Sequence, residues 1–180
     1  MQYVYANAYI QDVYIQIYVQ YNTRTSMAII ADNKKAGYNY DILEKIEAGM
    51  ELNGQEVKSL RARGVSLQGN YVMIKRKNPE KPEVFWVGAN IPPYQPLNIA
   101  ENYVPQRDRK LLLHKSEIEY LVDKIKEKGL TLVPLLVYTK KHKLKMLIGL
   151  AKGKKNFDKR ESIKKRETQR KINTELKTRG

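Results

Sequence analysis

Hydrophobic and polar residues alternate along several short segments of the chain, a pattern typical of half-buried β-strands. The alternation predicts strands over 38–46 and 71–75, and Gly49 is expected to allow a bend or bulge after the first of them. An apolar run over 84–89 predicts a strand that is covered on both faces. These segments indicate the central part of a β-sheet.

Two further apolar segments, 130–138 and 144–151, flank the basic stretch 139–143. Strand-forming runs on either side of a short polar turn predict an antiparallel hairpin, which here would close the sheet. Residues 91–108 contain four prolines and are expected to form a loop, since proline cannot donate to a strand ladder.

Helical spacing is confined to two segments. Val57 and Leu60 lie three residues apart within 54–63, which predicts a short helix ending at Gly64. Ser116 and Glu119 have the spacing of a capping box, so a second helix is expected from there to Gly129. The pattern as a whole predicts an all-β domain, a small barrel with two accessory helices.

The first 26 residues differ from the rest of the chain. They alternate tyrosine, valine and isoleucine with glutamine and asparagine, and Asp12 and Arg24 are their charged residues. Polar residues interrupt the apolar ones too often for a secretory signal or a membrane span. They are interpreted as a leader that is non-native or disordered, with Met27 as the true start, in preference to an extra edge strand.

Charge is concentrated at the other end. The chain has a formal net charge of +15 and a pI near 9.8. Residues 152–180 carry twelve basic and four acidic side chains and few large apolar ones, so this tail is expected to be disordered when free. The imbalance indicates a polyanionic partner, with nucleic acid the leading candidate.

Sequence patterns that would support catalysis or metal binding are missing. The chain has no cysteine and two histidines, and it contains no nucleophile elbow, phosphate-cradling glycine loop or HExxH helix. Glu44, Glu47 and Glu51 are interpreted as solvated partners of Lys45 and Lys58. We therefore expect no enzymatic activity, no cofactor and no metal site.

Two places are candidates for RNA contact on physical grounds. His114 precedes the second predicted helix and follows a basic segment, where it would either contact a phosphate or cap the helix. The run 152–160 interleaves cations with Phe157, which suits phosphate neutralisation with base stacking, although a solvated tail is the alternative.

Several segments, in order along the chain, resemble the small protein B family of SsrA-binding proteins. They are 33–36, 47–49, 54 with 56–62, 109–114, 129–134, 151–155 and 158–160. Each is weak alone, but the ordered series is specific and extends from about Met27 to the C-terminus.

The resemblance implies an oligonucleotide-binding (OB) barrel over 27–151 that recognises the transfer-RNA-like part of transfer-messenger RNA (tmRNA). The family's RNA-binding positions match Glu47, Leu112 and His114, and Lys34, Lys35 and Arg61 are expected to support them. Its ribosome-engaging tail positions match Gly153, Lys154, Lys155, Phe157, Asp158, Lys159 and Arg160. Phe157 departs from the histidine of many relatives, which keeps stacking but removes a polar ring.

The resemblance further implies a cytoplasmic monomer that delivers tmRNA to stalled ribosomes in trans-translation. Its tail would lie in the empty messenger channel at the decoding centre of the small subunit, and elongation factor Tu would join on the charged RNA. The alternatives are a general OB-type ribosomal or translation protein that binds RNA by charge, and an RNA-modifying or RNA-cleaving enzyme.

Overall fold

Antiparallel β-strands with short helices make up the part of the chain that the structure describes. The structure is a computed structural model, and it describes residues 27–78, 81–96, 102–127 and 129–155 together with Thr168. The strands are β1 (Met27–Asp32), β2 (Tyr40–Met50), β3 (Tyr71–Asn78), β4 (Lys81–Val87), β5 (Arg109–Leu112), β6 (Leu130–Lys140) and β7 (Lys143–Gly153). The helices are α1 (Ala36–Asn39), α2 (Gly54–Arg63) and α3 (Lys115–Ile125).

The strand pairings close into a ring. β6 pairs with β3, β3 with β4, β4 with β5, β5 with β2 and β2 with β7, and β7 returns to β6. β1 lies outside this ring, antiparallel to the second half of β6. A closed ring of strands removes the exposed edges that would otherwise pair with other chains. The predicted barrel pattern therefore matches six strands of the described chain.

The interior of the ring is apolar. Trp86, Leu111, Met146 and Ile148 from β4, β5 and β7 are each at most 1% exposed and belong to one core cluster. A second cluster, which includes Val133, Leu136 and Tyr138, forms along β6. β6 is buried over nearly its whole length because it contributes to both clusters.

The predicted hairpin is present and tighter than expected. β6 and β7 remain paired up to Lys140 and Lys143, which leaves the two-residue turn Lys141–His142. Both turn residues have positive φ, 48° and 63°. A two-residue turn of this kind matches the twist of the strands, and it is usually formed by asparagine and glycine. The sequence lacks that signal, so the turn was predicted too long.

Helix α2 is defined at both ends by its sequence. At its start, the Asn53 side chain accepts from the backbone N–H of Glu56, and the Glu56 carboxylate accepts from the N–H of Asn53. This reciprocal pair is a capping box. Gly64 follows the helix with φ 70°, and a side chain there would come within 3.0 Å of the Ile30 carbonyl oxygen. The predicted helix and its glycine end are confirmed.

A buried ion pair joins α2 to β5. Glu56 and Arg109 are both fully buried, and Arg109 Nε lies 2.9 Å from Glu56 Oε1. Arg107 Nη2 approaches the other carboxylate oxygen at 2.5 Å. Arg109 also donates to the carbonyl oxygens of Ala89 and Pro105, both at 2.7 Å. The guanidinium thus holds α2, the end of β4 and the proline-rich segment together.

Burial alone would raise the pKa of Glu56. Hydrogen bonds from Arg107 and from the Asn53 backbone, with the charges of Arg109 and Arg107, outweigh it, and the pKa lies below its ordinary value. The carboxylate is therefore ionised inside the protein, where its charge is balanced by the two guanidinium groups.

Several predicted boundaries are wrong. The stretch 38–46 was expected to be one strand followed by a bend at Gly49. Instead α1 ends at Asn39 and β2 runs through Gly49 to Met50, with its bulge between Ile42 and Glu44. The strands β1 and β5 and the helix α1 were missed, because segments of four to six residues carry too little periodicity to be recognised.

The second helix also begins and ends earlier than predicted. His114, not Ser116, is the N-cap residue, and the acidic partner is Glu117, whose carboxylate accepts from the His114 N–H at 2.8 Å. The helix stops at Ile125 rather than at Gly129. In contrast, residues 91–96 and 102–108 form neither strand nor helix, as the prolines predicted, and residues 97–101 lie outside the described part.

We expect Glu56→Ala to lower the free energy of unfolding by about 3–5 kcal/mol, because it leaves the Arg109 charge buried without its carboxylate. Urea unfolding followed by circular dichroism measures the change. Lys115→Ala is the control, since Lys115 and Glu119 form an exposed pair on α3 and its loss should cost at most about 0.5 kcal/mol. Equal losses in the two variants would contradict the importance of the buried pair.

Candidate nucleic-acid interface

Two predicted RNA-binding residues, Glu47 and Leu112, lie on the same outer face of the ring. Leu112 on β5 is directly opposite Gly49 on β2, and directly opposite residues of an antiparallel pair share a face. Glu47 precedes Gly49 by two positions and so has the same orientation. The intervening Ala48 is fully buried in the interior. The structure therefore places the predicted carboxylate and the predicted apolar residue near each other.

The absence of a side chain at Gly49 opens this face. A Cβ at Gly49 would lie 3.3 Å from Leu112 Cβ and 3.6 Å from its Cδ1. Leu112 therefore packs over the backbone of β2 while 51% of it remains exposed. An apolar side chain so exposed, beside bare backbone, is suited to packing against a base or a ribose.

Glu47 is already engaged within the protein. Its Oε2 accepts from the Tyr138 hydroxyl and from Lys140 Nζ at 3.0 Å, and its Oε1 lies 3.2 Å from Lys145 Nζ. Burial would raise the pKa of Glu47, but the hydrogen bonds from Tyr138, Lys140 and Lys145 outweigh it and the pKa is lowered. These four residues are called the Glu47 cluster.

The Glu47 cluster follows from strand register. Lys145 on β7 is opposite Gly49 on one side and Tyr138 on the other, so a single row across three strands carries Tyr138, Lys145 and the gap at Gly49. Lys45, two positions before Glu47, adds a half-buried cation to the same face, and its burial lowers its pKa. The surface is positive beside an exposed leucine.

The structure gives Glu44 and Glu47 partners that the sequence did not predict. Lys45 and Lys58 were expected to pair with Glu44, Glu47 and Glu51. The Glu44 carboxylate instead accepts from the Tyr120 hydroxyl of α3 at 2.5 Å. Glu47 pairs with the two lysines of the hairpin strands, which are about a hundred residues away in the sequence.

Arg61 lies at the turn of the hairpin. Its Nη2 donates to the His142 carbonyl oxygen at 2.8 Å, so the last turn of α2 is tied to the tip of the β6–β7 hairpin. Because Lys141 and Lys143 flank His142 and all three are exposed, the arginine extends a basic surface at this end of the ring. Arg61 is thus placed beside the cations of the hairpin turn.

His114 is exposed at the start of α3, two residues beyond Leu112. Both interpretations of this histidine are compatible with its position. Its backbone begins the helix, while its side chain faces solvent close to the end of β5. His114 therefore lies just beyond the end of β5 that carries Leu112.

Lys34 and Lys35 lie at the opposite end of β2 from Gly49. They are exposed in the turn between β1 and α1, where Asn33 donates to the carbonyl oxygens of Pro134 and Leu135, both at 2.9 Å. From these lysines the chain passes through α1 to the start of β2, whereas Leu112 is paired near the end of that strand. The predicted site therefore divides into two basic surfaces.

The beginning of the predicted tail belongs to the folded part. β7 continues through Lys152 and Gly153, two residues past the predicted boundary at Ala151. Lys154 Nζ then donates to the Gly37 carbonyl oxygen at 2.8 Å and lies 3.3 Å from Asp41 Oδ1, and its side chain is 7% exposed. Lys155 is exposed, and Phe157, Asp158, Lys159 and Arg160 lie outside the described residues.

Sequence reasoning missed Tyr138, Lys140 and Lys145 as part of the interface. They were placed in the hairpin as strand and turn residues. The available signal was the alternation of Lys143, Lys145 and Leu147 along β7, which puts lysines on the outer face. Their proximity to Glu47 depends on the β2–β7 register, which the sequence does not reveal.

Two negative findings apply to the described residues. Within them, no three histidine or acidic side chains come together in a way that would hold a metal ion. None of the helices there has the length and apolar character needed to cross a membrane.

Comparison with known proteins identifies the family. Residues 30–178 match the sequence model of the family described as "SmpB protein". The "SsrA-binding protein" of Thermosipho africanus is 50% identical over 152 residues, which cover 84% of this chain and 98% of the relative. The chain belongs to the SmpB family.

Other members of the SmpB family match to a similar extent. The "SsrA-binding protein" of Acetivibrio thermocellus is 50% identical over 83% of this chain and 93% of its own. A solved structure described as "tmRNA-SmpB: a journey to the center of the bacterial ribosome" is 42% identical, with a TM-score of 0.56 over 72% of this chain and 87% of that chain. The resemblance found from sequence motifs is thereby confirmed.

Lys154→Ala is expected to lower the free energy of unfolding by about 1–2 kcal/mol, because the Gly37 carbonyl oxygen and the Asp41 carboxylate lose the nearly buried ammonium that pairs with them. Thermal unfolding of the full chain measures it. Lys152→Ala, which changes an exposed neighbour by the same charge, should shift the midpoint little. A midpoint unchanged in both variants would show that Lys154 does not anchor the strand end.

Proposed function

We propose that this SmpB-family chain binds tmRNA and acts in trans-translation, delivering that RNA to stalled ribosomes so that their nascent chains are tagged. The observation that carries the proposal is the outer face of β2, β5 and β7. There an exposed Leu112, the bare backbone at Gly49 and the cations of the Glu47 cluster lie side by side. Cations fix an RNA backbone in register, while an apolar group packs against its bases or sugars.

The proposal includes the architecture. The six-stranded ring corresponds to an OB-fold barrel, a fold that binds oligonucleotides on its outer surface and loops. The chain is proposed to act by binding RNA, without enzymatic activity or a cofactor. It is proposed to act as a cytoplasmic monomer together with tmRNA, elongation factor Tu and the ribosome.

The two basic surfaces suggest a division of work. Glu47, Leu112, His114 and Arg61 are proposed to serve tmRNA binding at one end of β2. Lys34 and Lys35 lie near the point where the chain leaves β7, and are proposed to support RNA there. Lys155, Phe157, Asp158, Lys159 and Arg160 are proposed to engage the messenger channel of the small subunit, where ribosomal phosphates would offset their mutual repulsion.

We expect the full chain to bind the transfer-RNA-like domain of tmRNA more tightly than bulk transfer RNA, and Leu112→Ala to remove most of that preference. Because Leu112 is half exposed, the change should cost less than about 1 kcal/mol in stability. Filter binding at several salt concentrations measures affinity, with urea unfolding as the check on folding. The exposed Val104→Ala is the matched control.

The result distinguishes the proposal from its rival. A general OB-type RNA-binding protein that acts by charge would bind both RNAs alike and lose affinity for both equally as salt increases. Equal affinity of the unmodified chain for the two RNAs would contradict tmRNA recognition.

Truncation after Lys155 should leave tmRNA affinity within about threefold, because it leaves β7 intact. It should abolish peptide tagging on stalled ribosomes, because it removes nine basic side chains of the tail. Truncation after Ala151 is the comparison. It also removes the end of β7 and the Lys154 anchor, so the unfolding temperature should fall as well. Loss of tmRNA binding on truncation after Lys155 would contradict the division of work.

A further inference from the structure

A direct contact with RNA does not fully explain the role of Glu47, because this residue is already bonded within the Glu47 cluster. Each oxygen of the carboxylate already accepts from a lysine of the hairpin strands, and one also accepts from Tyr138. A carboxylate is itself repelled by phosphates. Base amino groups and 2′-hydroxyls are the RNA groups that can donate to it, but both of its oxygens are already engaged within the protein, so its presence needs a further reason.

The two lysines explain its presence. Their side chains are 27% and 28% exposed, so each ammonium is partly withdrawn from water and would repel the other. One carboxylate between two ammonium groups removes that repulsion and fixes their positions, and the cluster keeps one net positive charge. Cations held in place in this way lose little side-chain entropy when an anion binds.

The surroundings leave room for a sugar–phosphate chain. Lys145 lies opposite Gly49 in the β2–β7 pairing, and Leu112 lies opposite Gly49 in the β2–β5 pairing. A phosphate at the lysines would therefore have its ribose or base over the bare backbone and against Leu112. An ammonium has three N–H donors, so the single bond from Lys145 to Glu47 uses one of them.

We propose that Lys140 and Lys145 form a phosphate-binding subsite for the RNA backbone, and that Glu47 is the positioning residue that holds them. This inference rests on the proposed function, because it assumes that this face meets RNA. It assigns to Lys140 and Lys145 the contact that the resemblance placed on Glu47.

A double-mutant cycle tests the assignment. The variants are Glu47→Ala, the pair Lys140→Met with Lys145→Met, and all three together; methionine keeps the apolar stems that cover the sheet. Dissociation constants are measured against the transfer-RNA-like domain of tmRNA and against bulk transfer RNA across a salt series.

We expect the lysine pair to weaken binding about tenfold at moderate salt and to reduce the slope of log affinity against log salt by about one, as for the loss of one phosphate contact. Glu47→Ala should weaken binding by roughly five- to tenfold in the unmodified chain, although it removes a negative charge. With both lysines replaced, the same change should alter affinity less than about twofold, because nothing remains to be positioned.

The matched control replaces two other lysines that are also paired with carboxylates. Lys124 is paired with Glu127 and Lys126 with Asp123 at the C-terminal end of α3, and their side chains are 35% and 65% exposed. Lys124→Met with Lys126→Met changes the net charge equally and should leave affinity within about twofold. Thermal unfolding of every variant checks folding, and Glu47→Gln replaces Glu47→Ala if the latter does not fold.

Three results would overturn the assignment. Glu47→Ala could cost the same factor with and without the lysines, which is the signature of direct RNA contact. It could tighten binding, as charge alone dictates. The control pair could lose as much affinity and slope as Lys140 and Lys145. Lack of preference for tmRNA over bulk transfer RNA would overturn the proposed function instead, while the cycle on bulk RNA still separates positioning from contact.

Discussion

The closure of the ring depends on one buried ion pair, that of Glu56 with Arg109. β5 has four residues, and it meets β2 through two of them and β4 through three, so strand pairing holds it over a short length. Arg109, its first residue, is bonded to Glu56 of α2 and to three carbonyl oxygens of the segment that leads into it. Burying the two charges costs desolvation energy, which their attraction and the further hydrogen bonds of Arg109 offset, and removing either partner would leave the other charge buried and uncompensated. The position of Leu112, three residues further on, follows from this anchor.

A second arrangement of charges controls the outer surface. Some of the described cations of the ring are paired one to one with carboxylates, as with Lys75 and Asp108 or Lys110 and Glu83. Such pairs contribute little net field, whereas the Glu47 cluster joins two lysines to a single carboxylate and keeps a net charge. The excess positive charge of the ring therefore lies at places such as the Glu47 cluster rather than at these neutral pairs. Recognition would then depend on the place of the cations as much as on their number.

The sequence predicted what local patterns determine. Helix α2 with Asn53, Glu56 and Gly64, the β6–β7 hairpin and the proline-rich segment all follow from spacing and residue type, and each is confirmed. The β1 and β5 strands did not follow, because short strands are defined by their neighbours rather than by their own periodicity. For the same reason the predicted partners of Glu47 were wrong. Lys140 and Lys145 reach it through the β2–β7 register, which is a property of the closed ring, and no spacing along the chain encodes it.

The boundary between barrel and tail follows from the same distinction between paired and excess charge. Composition placed it at Ala151, where the basic run begins. Lys152 and Gly153 nevertheless continue β7, and Lys154 is fixed by Gly37 and Asp41. Beyond Lys155, nine basic and four acidic side chains remain. Lys154, the first lysine of the Gly-Lys-Lys sequence, is nearly buried against a carboxylate and so belongs to the fold. It therefore marks the boundary between the barrel and the tail. The residues after it are those whose charge a ribosomal partner would have to balance.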